Sequence, residues 1–372
     1  MAKEDFKITP WKVTGEVNYK KLIRQFGTEK IPDSILSKLK KAHPLLRRGV
    51  YFSHREFDVW LKDAESRKKV SILTGRGPSE KMHLGHLVPF LAAKSLQDLY
   101  KCNIYIPISE DEKFFVNPAL SYKDAKKFAD DNILDLLALD FKPRKTFIMK
   151  DFSYPPLYNW AAQIAKLITY SEVKAIFGLK PENNIGWSFY PAVQAAHILL
   201  PQFLEGPHKT LVPVGIDQDP FIRLTRDIAS HSSIKFQKPA AIHAKFIPGL
   251  KGSTKMSATD EEETNLIYLS DNEKTVEHKI KKYAFSGGKD TLEEHRKLGG
   301  NPEVDISYQY LRMLFEPDDK KLQKIHDDYK SGKLLTSELK EILIKKINSF
   351  LKDHQRKRKR AERQIKRFVY SD

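Results

Sequence analysis

Residues 74–86, Thr-Gly-Arg-Gly-Pro-Ser-Glu-Lys-Met-His-Leu-Gly-His, form a glycine-rich turn between a predicted strand, 70–73, and a predicted helix, 87–100. Parallel α/β sheets hold nucleotides at such junctions, because free N–H groups at a helix start attract phosphate. His83 and His86 would add side-chain donors, and Gly85 has no Cβ to keep a flat base off the backbone. The turn fits neither G-x-G-x-x-G nor a P-loop, so taken alone it is better explained as the start of a capped helix with two surface histidines.

A second stretch far along the chain points to the same chemistry. Lys255-Met256-Ser257-Ala258-Thr259 lies in a polar segment that begins at Gly249. A lysine in a glycine- and serine-rich loop is a mobile cation, which suits a phosphate chain whose charge grows as it leaves.

Together the two stretches resemble the HIGH and KMSKS motifs of class I aminoacyl-tRNA synthetases, in the right order. Further segments resemble the archaeal and eukaryotic branch of the tryptophan-specific enzymes; they lie at 74–78, 111–114, 190–196, 215–229 and 284–301. The resemblance extends from about residue 10 to the C-terminus and is far more specific as a set than either short motif.

The resemblance implies attack of an amino-acid carboxylate on the α-phosphate of ATP, with Mg²⁺ on the departing pyrophosphate. His83, His86, Lys255 and Ser257 would be catalytic, and no carboxylate cluster identifies a metal ligand. Ala258 replaces the second lysine of the loop, so Arg76 or an N-terminal lysine would share its task. The residues expected to bind ATP are Thr74, Gly75, Arg76, Gly77, Gly85, Asp217, Met256, Ala258 and Thr259.

The amino acid is expected at Glu112, Gln194 and Gln218, with Glu112 and Gln194 at its α-ammonium. Gln194 stands in an apolar stretch, where an unpaired buried amide is costly, so it is either paired or faces a polar ligand. The alternatives are a solvated loop charge for Glu112 and, at 217–219, an ordinary N-cap by Asp217 or Asp219 for the helix that follows. Related enzymes present a tyrosine and a glutamine to the indole N–H where this chain has Leu73 and Pro107. Ser109, Glu110, Gln194 or packing alone would then recognise the ring.

Charge favours a polyanionic partner. The 372-residue chain has a net charge of +17, and residues 352–367 carry nine Lys/Arg against two acids in one predicted helix. A solvated basic helix would look the same, but with the synthetase motifs present tRNA is the expected partner. The residues expected to contact it are Arg356, Lys357, Arg358, Lys359 and Arg360.

The cysteine count and the distribution of apolar residues indicate the cellular compartment in which the protein acts. The single cysteine, Cys102, excludes an internal disulfide framework and is expected to be a small core residue. The start of the chain lacks the apolar centre of a signal peptide, and prolines and polar residues interrupt the most apolar run, 188–204. We expect a cytoplasmic protein without a membrane span.

Alternating strand and helix signals predict an α/β, Rossmann-like, doubly wound parallel sheet. The sequence predicts a hairpin followed by helices from Asn18 and Pro32, with Asp33 and Ser34 able to cap the second helix. The resemblance implies that this N-terminal part (1–68) forms a patch over the ATP site; the alternative is that it simply covers the edge of the sheet. The resemblance also implies a catalytic domain (69–265) with a helical dimerisation insertion at about 150–205 and the lysine loop at about 249–262. By the same resemblance the helical C-terminal part (266–372), with separate helices at 336–350 and 352–367, is the anticodon-binding domain.

The expected function is a tryptophan–tRNA ligase, acting as a homodimer and without a visible editing domain. The closest alternative is a tyrosine enzyme of the same fold. More distant are a non-catalytic RNA-binding protein on a synthetase scaffold and a small nucleotidyltransferase with the same His-x-Gly-His turn.

Overall fold

The computed structural model describes residues 7–8, 13–14, 18–78, 81–252, 263–363, 365 and 368. The strands are β1 Lys7–Ile8, β2 Val13–Thr14, β3 Glu29–Lys30, β4 Tyr51–Arg55, β5 Val70–Leu73, β6 Asn103–Ile108, β7 Thr146–Lys150, β8 Lys209–Gly215 and β9 Ala240–Ala244. The helices as far as the insertion are α1 Tyr19–Phe26, α2 Asp33–Lys38, α3 Pro44–Arg47, α4 Phe57–Glu65, α5 Leu87–Tyr100, α6 Glu110–Val116, α7 Tyr122–Leu137, α8 Pro155–Ala165, α9 Tyr170–Phe177 and α10 Ile185–Glu205. The later helices are α11 Asp219–Ala229, α12 Glu273–Tyr283, α13 Leu292–Leu298, α14 Ile306–Tyr310, α15 Asp319–Lys330 and α16 Thr336–Ala361, with a π-helical turn at Leu311–Phe315.

A seven-stranded sheet in the order β3-β4-β9-β8-β5-β6-β7 organises the molecule. Strands β5 to β9 are mutually parallel, which confirms the doubly wound core. The chain order runs outward in opposite directions from the β5–β8 pair, and a crevice at the carboxyl ends of such a pair is where this fold class binds ligands.

The N-terminal segment belongs to this sheet. β4 pairs antiparallel with β9, and β3 pairs antiparallel with β4. The sheet is therefore mixed, not purely parallel as the strand–helix alternation predicted. The predicted hairpin is present as the antiparallel pair of β1 and β2.

The sheet has an apolar core on each of its two faces, and successive residues of a strand point into opposite cores. Ile72 of β5 and Ile104 of β6 face α4, α5, α7 and the C-terminal helices, whereas Leu73 and Tyr105 face α8 to α11. Strands buried on both faces read as continuous apolar runs, which is why they could be found from sequence. Cys102 is a buried core residue as expected, and burial raises the pKa of its thiol to about 12.

Two local expectations need correction, and a third is confirmed. Helix α2 begins after Pro32 without a side-chain cap, so Asp33 and Ser34 lie inside it and do not cap it. The two helices expected at 336–350 and 352–367 are one helix, α16, because Leu351, His354 and Ala361 continue its buried stripe. The predicted start of α1 is right, since the Asn18 side chain accepts from Lys21 N.

The end of the chain returns to the sheet edge. β7 has a strand neighbour on one side only, and on the other side Ile148 N donates to Phe368 O at 2.8 Å. One apolar cluster runs from Ile31 in the N-terminal segment through β5 and β6 to Leu351 and Phe368. The sheet and the C-terminal helices thus share a core.

Candidate active site

The two histidines of the glycine-rich turn cap each other at the start of α5. Gly85 N donates to His83 Nδ1 at 3.1 Å, and His83 N donates to His86 Nδ1 at 3.2 Å. The rings stack with centroids 3.5 Å apart. Because Nδ1 accepts a backbone N–H in each ring, each neutral ring carries its proton on Nε2. The turn therefore holds two side-chain donors in fixed orientation, as a phosphate-binding role requires.

The chain that follows the lysine loop pairs with this turn. Leu84 N donates to Ile267 O at 3.0 Å, and Leu269 N donates to Met82 O at 2.9 Å. At the base of the loop, Leu250 N donates to Asn265 O at 3.0 Å. The predicted loop residues Lys255, Met256, Ser257, Ala258 and Thr259 lie outside the described residues. Both flanks of the loop are thus joined at its base, and the second flank leads directly to the His83 turn.

A cavity of about 210 Å³ opens at the carboxyl ends of β8 and β9, beside the start of α5. Gly85, Asp217 and Gln218 line it, so the structure brings together three residues that the sequence predicted for the site. Lys245 and Phe246, which follow β9, line it too and were missed. Asp217 lies in the 3₁₀ turn Ile216–Gln218, and Asp219 opens the helix that follows.

Tyr19 brings the N-terminal segment to this cavity. The Tyr19 hydroxyl accepts a hydrogen bond from Phe246 N at 3.0 Å. The centre of its ring lies 4.8 Å from the ring centre of Phe52 and 5.7 Å from Lys245 Nζ. Burial, and to a lesser degree the charge of Asp217, raise the pKa of Tyr19 to about 12. No motif marked Tyr19, because it acts through a partner more than 200 residues away.

The rest of the glycine-rich turn is fixed between strands. Arg76 N donates to Pro107 O at 3.0 Å, and Thr74 Oγ1 contacts Pro213 O at 3.4 Å. A Cβ at Gly75 would lie 3.0 Å from Pro107 O, so this close approach favours glycine. The Arg76 side chain, expected at the phosphates, donates instead to Asn132 of α7 at 3.1 Å, and burial lowers its pKa to about 10.

Glu112 and Gln194 meet beside the turn, joined by a tyrosine that the sequence did not single out. Tyr190 OH donates to Gln194 Oε1 at 2.7 Å and lies 3.5 Å from Glu112 Oε2. A Cβ at Gly77 would lie 2.5 Å from the same Glu112 oxygen, which places the carboxylate directly against the turn.

Behind Gln194 lies a buried polar group. His197 Nε2 is 2.9 Å from Asp151 Oδ1, and Tyr158 OH donates to Asp111 Oδ2 at 3.1 Å. Burial and the nearby charge of Asp151 raise the pKa of Asp111 well above its usual range, and burial raises the pKa of Asp151 in the same way. Glu110, named as an indole acceptor, instead accepts from the backbone N–H groups of Asp151 and Phe152, and burial raises its pKa to about 7.

The five basic residues of α16 divide between two faces. Lys357 pairs with Asp140 at 2.5 Å, and Arg358 Nε pairs with Asp135 at 2.9 Å, so these two dock the helix on α7 and its end. Arg356, Lys359 and Arg360 are exposed and line a groove of about 720 Å³ with Lys352 and Arg363. Gln355, which also lines this groove, donates to Leu269 O at 2.9 Å and so connects the groove to the segment that follows the lysine loop.

Within the described ranges no group of three or more His, Cys, Asp or Glu side chains is arranged to hold a metal ion. In the same part of the chain, none of the helices combines the length and the apolar character that a membrane span needs.

The family model described as tRNA synthetases class I (W and Y) matches residues 65–352. A tryptophan–tRNA ligase of Sulfurisphaera tokodaii is 49% identical over 99% of this chain and 96% of its own length. One of Pyrococcus furiosus is 45% identical over 99% of this chain and 95% of its own.

Among solved structures, a tryptophanyl-tRNA synthetase from Encephalitozoon cuniculi bound to tryptophan matches with a TM-score of 0.87 and 34% identity, over 95% of this chain and 98% of that one. The enzyme from Aeropyrum pernix matches with a TM-score of 0.86 and 31% identity, over 95% and 97%. The Rossmann-like sheet and the histidine turn thus belong to a class I aminoacyl-tRNA synthetase. The chain is a member of the tryptophan and tyrosine family of these ligases.

Proposed function

We propose that this chain is a tryptophan–tRNA ligase, which forms tryptophanyl-adenylate from L-tryptophan and ATP and then esterifies the 3′ end of tRNA(Trp). The observation that carries the proposal is the cavity that Gly85, Asp217 and Gln218 line, with Gly85 in the same turn as the two stacked imidazoles. Full-length relatives with this activity support the choice of tryptophan over tyrosine.

Adenylate formation needs alignment and charge stabilisation more than covalent work by the protein. His83 and His86 would donate from Nε2 to phosphate oxygens, and adenine would lie on Gly85. Lys255 and Ser257 would grip the β- and γ-phosphates, with the backbone of Met256, Ala258 and Thr259 beside the nucleotide. Lys255 lies four positions after Lys251, whose backbone N–H is held by the Asn265 side chain, so the Cα atoms of the two lysines are at most about 14 Å apart.

Around the rest of the ligand, Thr74, Gly75 and Gly77 would shape the turn against the nucleotide. Arg76, held by Asn132, would act on the phosphates only after its side chain turns away from α7. Asp217 would bind the ribose, and Gln218, Gln194 and Glu112 the amino acid. ATP enters with Mg²⁺ as part of the substrate, held chiefly by its own phosphates.

Lys245 is the best cation to stand in for the lysine that Ala258 replaces. It lines the cavity, its burial lowers the pKa of its ammonium group, and within the described chain no carboxylate pairs with it. For tRNA we propose the exposed face of α16, Arg356, Lys359 and Arg360, with Lys357 and Arg358 serving mainly to dock the helix. We further propose a cytoplasmic homodimer with contacts from α8 to α10; light scattering after size exclusion would measure its mass.

Amino-acid-dependent exchange of pyrophosphate into ATP tests the function. We expect exchange with tryptophan and little with tyrosine, followed by charging of tRNA(Trp). Preference for tyrosine would assign the chain to the other enzyme of its family. The absence of exchange with every amino acid would favour a non-catalytic RNA-binding protein.

A further inference from the structure

The side chain of Gln194 is held from two sides on one face of α10. Tyr190, four residues earlier, donates its hydroxyl to Gln194 Oε1 at 2.7 Å. His197, three residues later, brings Nδ1 to 3.4 Å from the same oxygen. Residues three and four apart in a helix are neighbours, so α10 by itself brings these three side chains together.

His197 is in turn held by a residue from another part of the fold. Its Nε2 lies 2.9 Å from Asp151 Oδ1, and both side chains are almost completely buried. Burial lowers the pKa of His197 to about 4, so near neutral pH the ring is uncharged and has one N–H and one bare nitrogen.

The hydrogen bonds therefore form a chain with a defined direction. With Gln194 Oε1 facing it, Nδ1 carries the proton and donates to the amide, while Nε2 accepts from Asp151. Burial raises the pKa of Asp151 well above its usual range, which favours the protonated carboxyl that this direction requires. A half-turn of the amide would set its NH₂ group against the imidazole N–H, which disfavours the other orientation.

We propose that His197, oriented by Asp151, is a positioning residue that fixes the Gln194 amide for binding the amino-acid substrate. The inference rests on the proposed function, which assigns Gln194 to the amino acid. Of Tyr190, Gln194, His197 and Asp151, only Gln194 keeps appreciable exposure, so only Gln194 is open to the ligand. His197 would act through Gln194 and not by touching the substrate.

The test is the Michaelis constant for each substrate in pyrophosphate exchange. His197→Leu removes the N–H but keeps an apolar side chain in the core. We expect KM for tryptophan to rise about tenfold, which is the change in affinity expected from the loss of one hydrogen bond. KM for ATP should stay within about twofold, because the cavity at Gly85 is untouched. His197→Asn places an amide nitrogen near the position of Nδ1, and we expect it to restore KM for tryptophan to within about threefold of the wild-type value.

A matched control is His208→Leu. His208 is also buried and contacts Ser71 Oγ at 2.9 Å and Gly206 O at 2.7 Å, at the opposite end of β8 from the site. We expect His208→Leu to lower thermal stability without changing KM for tryptophan. The proposal is overturned if His197→Leu leaves KM for tryptophan unchanged or raises the KM values for tryptophan and ATP equally. It is also overturned if His197→Asn raises KM for tryptophan as much as His197→Leu does. An inactive wild-type enzyme would instead count against the proposed function.

Discussion

At the scale of the residue, Asp219 shows how one buried carboxylate joins the N-terminal segment to the catalytic sheet. Arg55 of β4 donates to both of its oxygens at 2.8 Å, and His243 Nε2 of β9 lies 3.1 Å from Oδ1. Burial alone would raise the pKa of Asp219, but Arg55 and His243 outweigh it and hold the pKa at about 2. The carboxylate therefore stabilises the folded chain in its charged form.

Asp219→Asn should lower the free energy of unfolding by about 3 kcal/mol at pH 7, because it leaves Arg55 partly buried without its counter-charge. The pKa is lowered on folding, so the contribution of the charge, about 2.5 kcal/mol, is present above pH 4 and fades as the pH falls towards 2. Urea unfolding at pH 7 and at pH 3 measures both values.

The control is Asp319→Asn, which removes the carboxylate that Arg47 and Arg48 contact at an exposed site. Its side chain is 65% exposed, so we expect a loss below about 1 kcal/mol. Equal losses for the two variants, or a loss for Asp219→Asn that grows at pH 3, would contradict this account of Asp219.

Lys255 carries the chemical prediction at this scale. Lys255→Ala should slow tryptophan-dependent exchange by about 10²- to 10³-fold, since it removes a cation that acts on charge developing in the transition state. Tryptophan binding, followed by calorimetry, should be nearly unchanged. Lys251→Ala is the control within the same segment, and a similar loss of rate in both variants would assign the effect to the segment and not to Lys255.

At the scale of the element, α16 has two basic faces with different partners. Lys357→Ala/Arg358→Ala and Lys359→Ala/Arg360→Ala each remove two adjacent charges from one helix. The first pair should lower the unfolding midpoint, because it breaks the docking onto α7. The second should weaken tRNA charging and reduce the salt slope of tRNA binding by about 2, with exchange unchanged.

Filter binding over a range of salt, with thermal unfolding in parallel, separates the two effects. If the Lys357/Arg358 variant reduced the salt slope as much as the other, the division of α16 into two faces would be wrong.

The same helix shows what sequence could and could not predict. The basic run at 356–360 could be read from the sequence, but its division into a docking face and an exposed face could not. The reason is that consecutive charged residues obscure the helical spacing of Leu351, His354, Arg358 and Ala361, which continues the buried face. Strand β5 was found because a parallel strand buried on both faces is largely apolar. β3 and β4 were not, because Glu29–Lys30 and a strand containing Ser53 and His54 resemble surface loops.

The site divides in a similar way. His83 and Gly85 lie in one motif and Asp217 lies in another, so each could be proposed as a site residue from local spacing alone. Links between distant elements, such as Tyr19 with Phe246 or His197 with Asp151, could not. A buried histidine or aspartate has no local pattern that distinguishes it from an exposed one.

At the scale of the whole molecule, the shared core predicts cooperative unfolding. Apolar residues from Ile31 to Phe368 form one cluster that includes the central strands and α16. We expect one thermal transition, with calorimetric and van't Hoff enthalpies equal, and not separate melting of sheet and C-terminal helices. Two resolved transitions in scanning calorimetry would show that the contact between the two parts is weaker than their internal packing.

The hydrogen bond from Ile148 to Phe368 has a practical consequence for handling the protein. It occupies part of the outer edge of β7, and an uncovered edge strand is a template on which another polypeptide can add. Trimming the last few residues, or fusing an affinity tag directly to them, would therefore invite molecules to join side by side into aggregates.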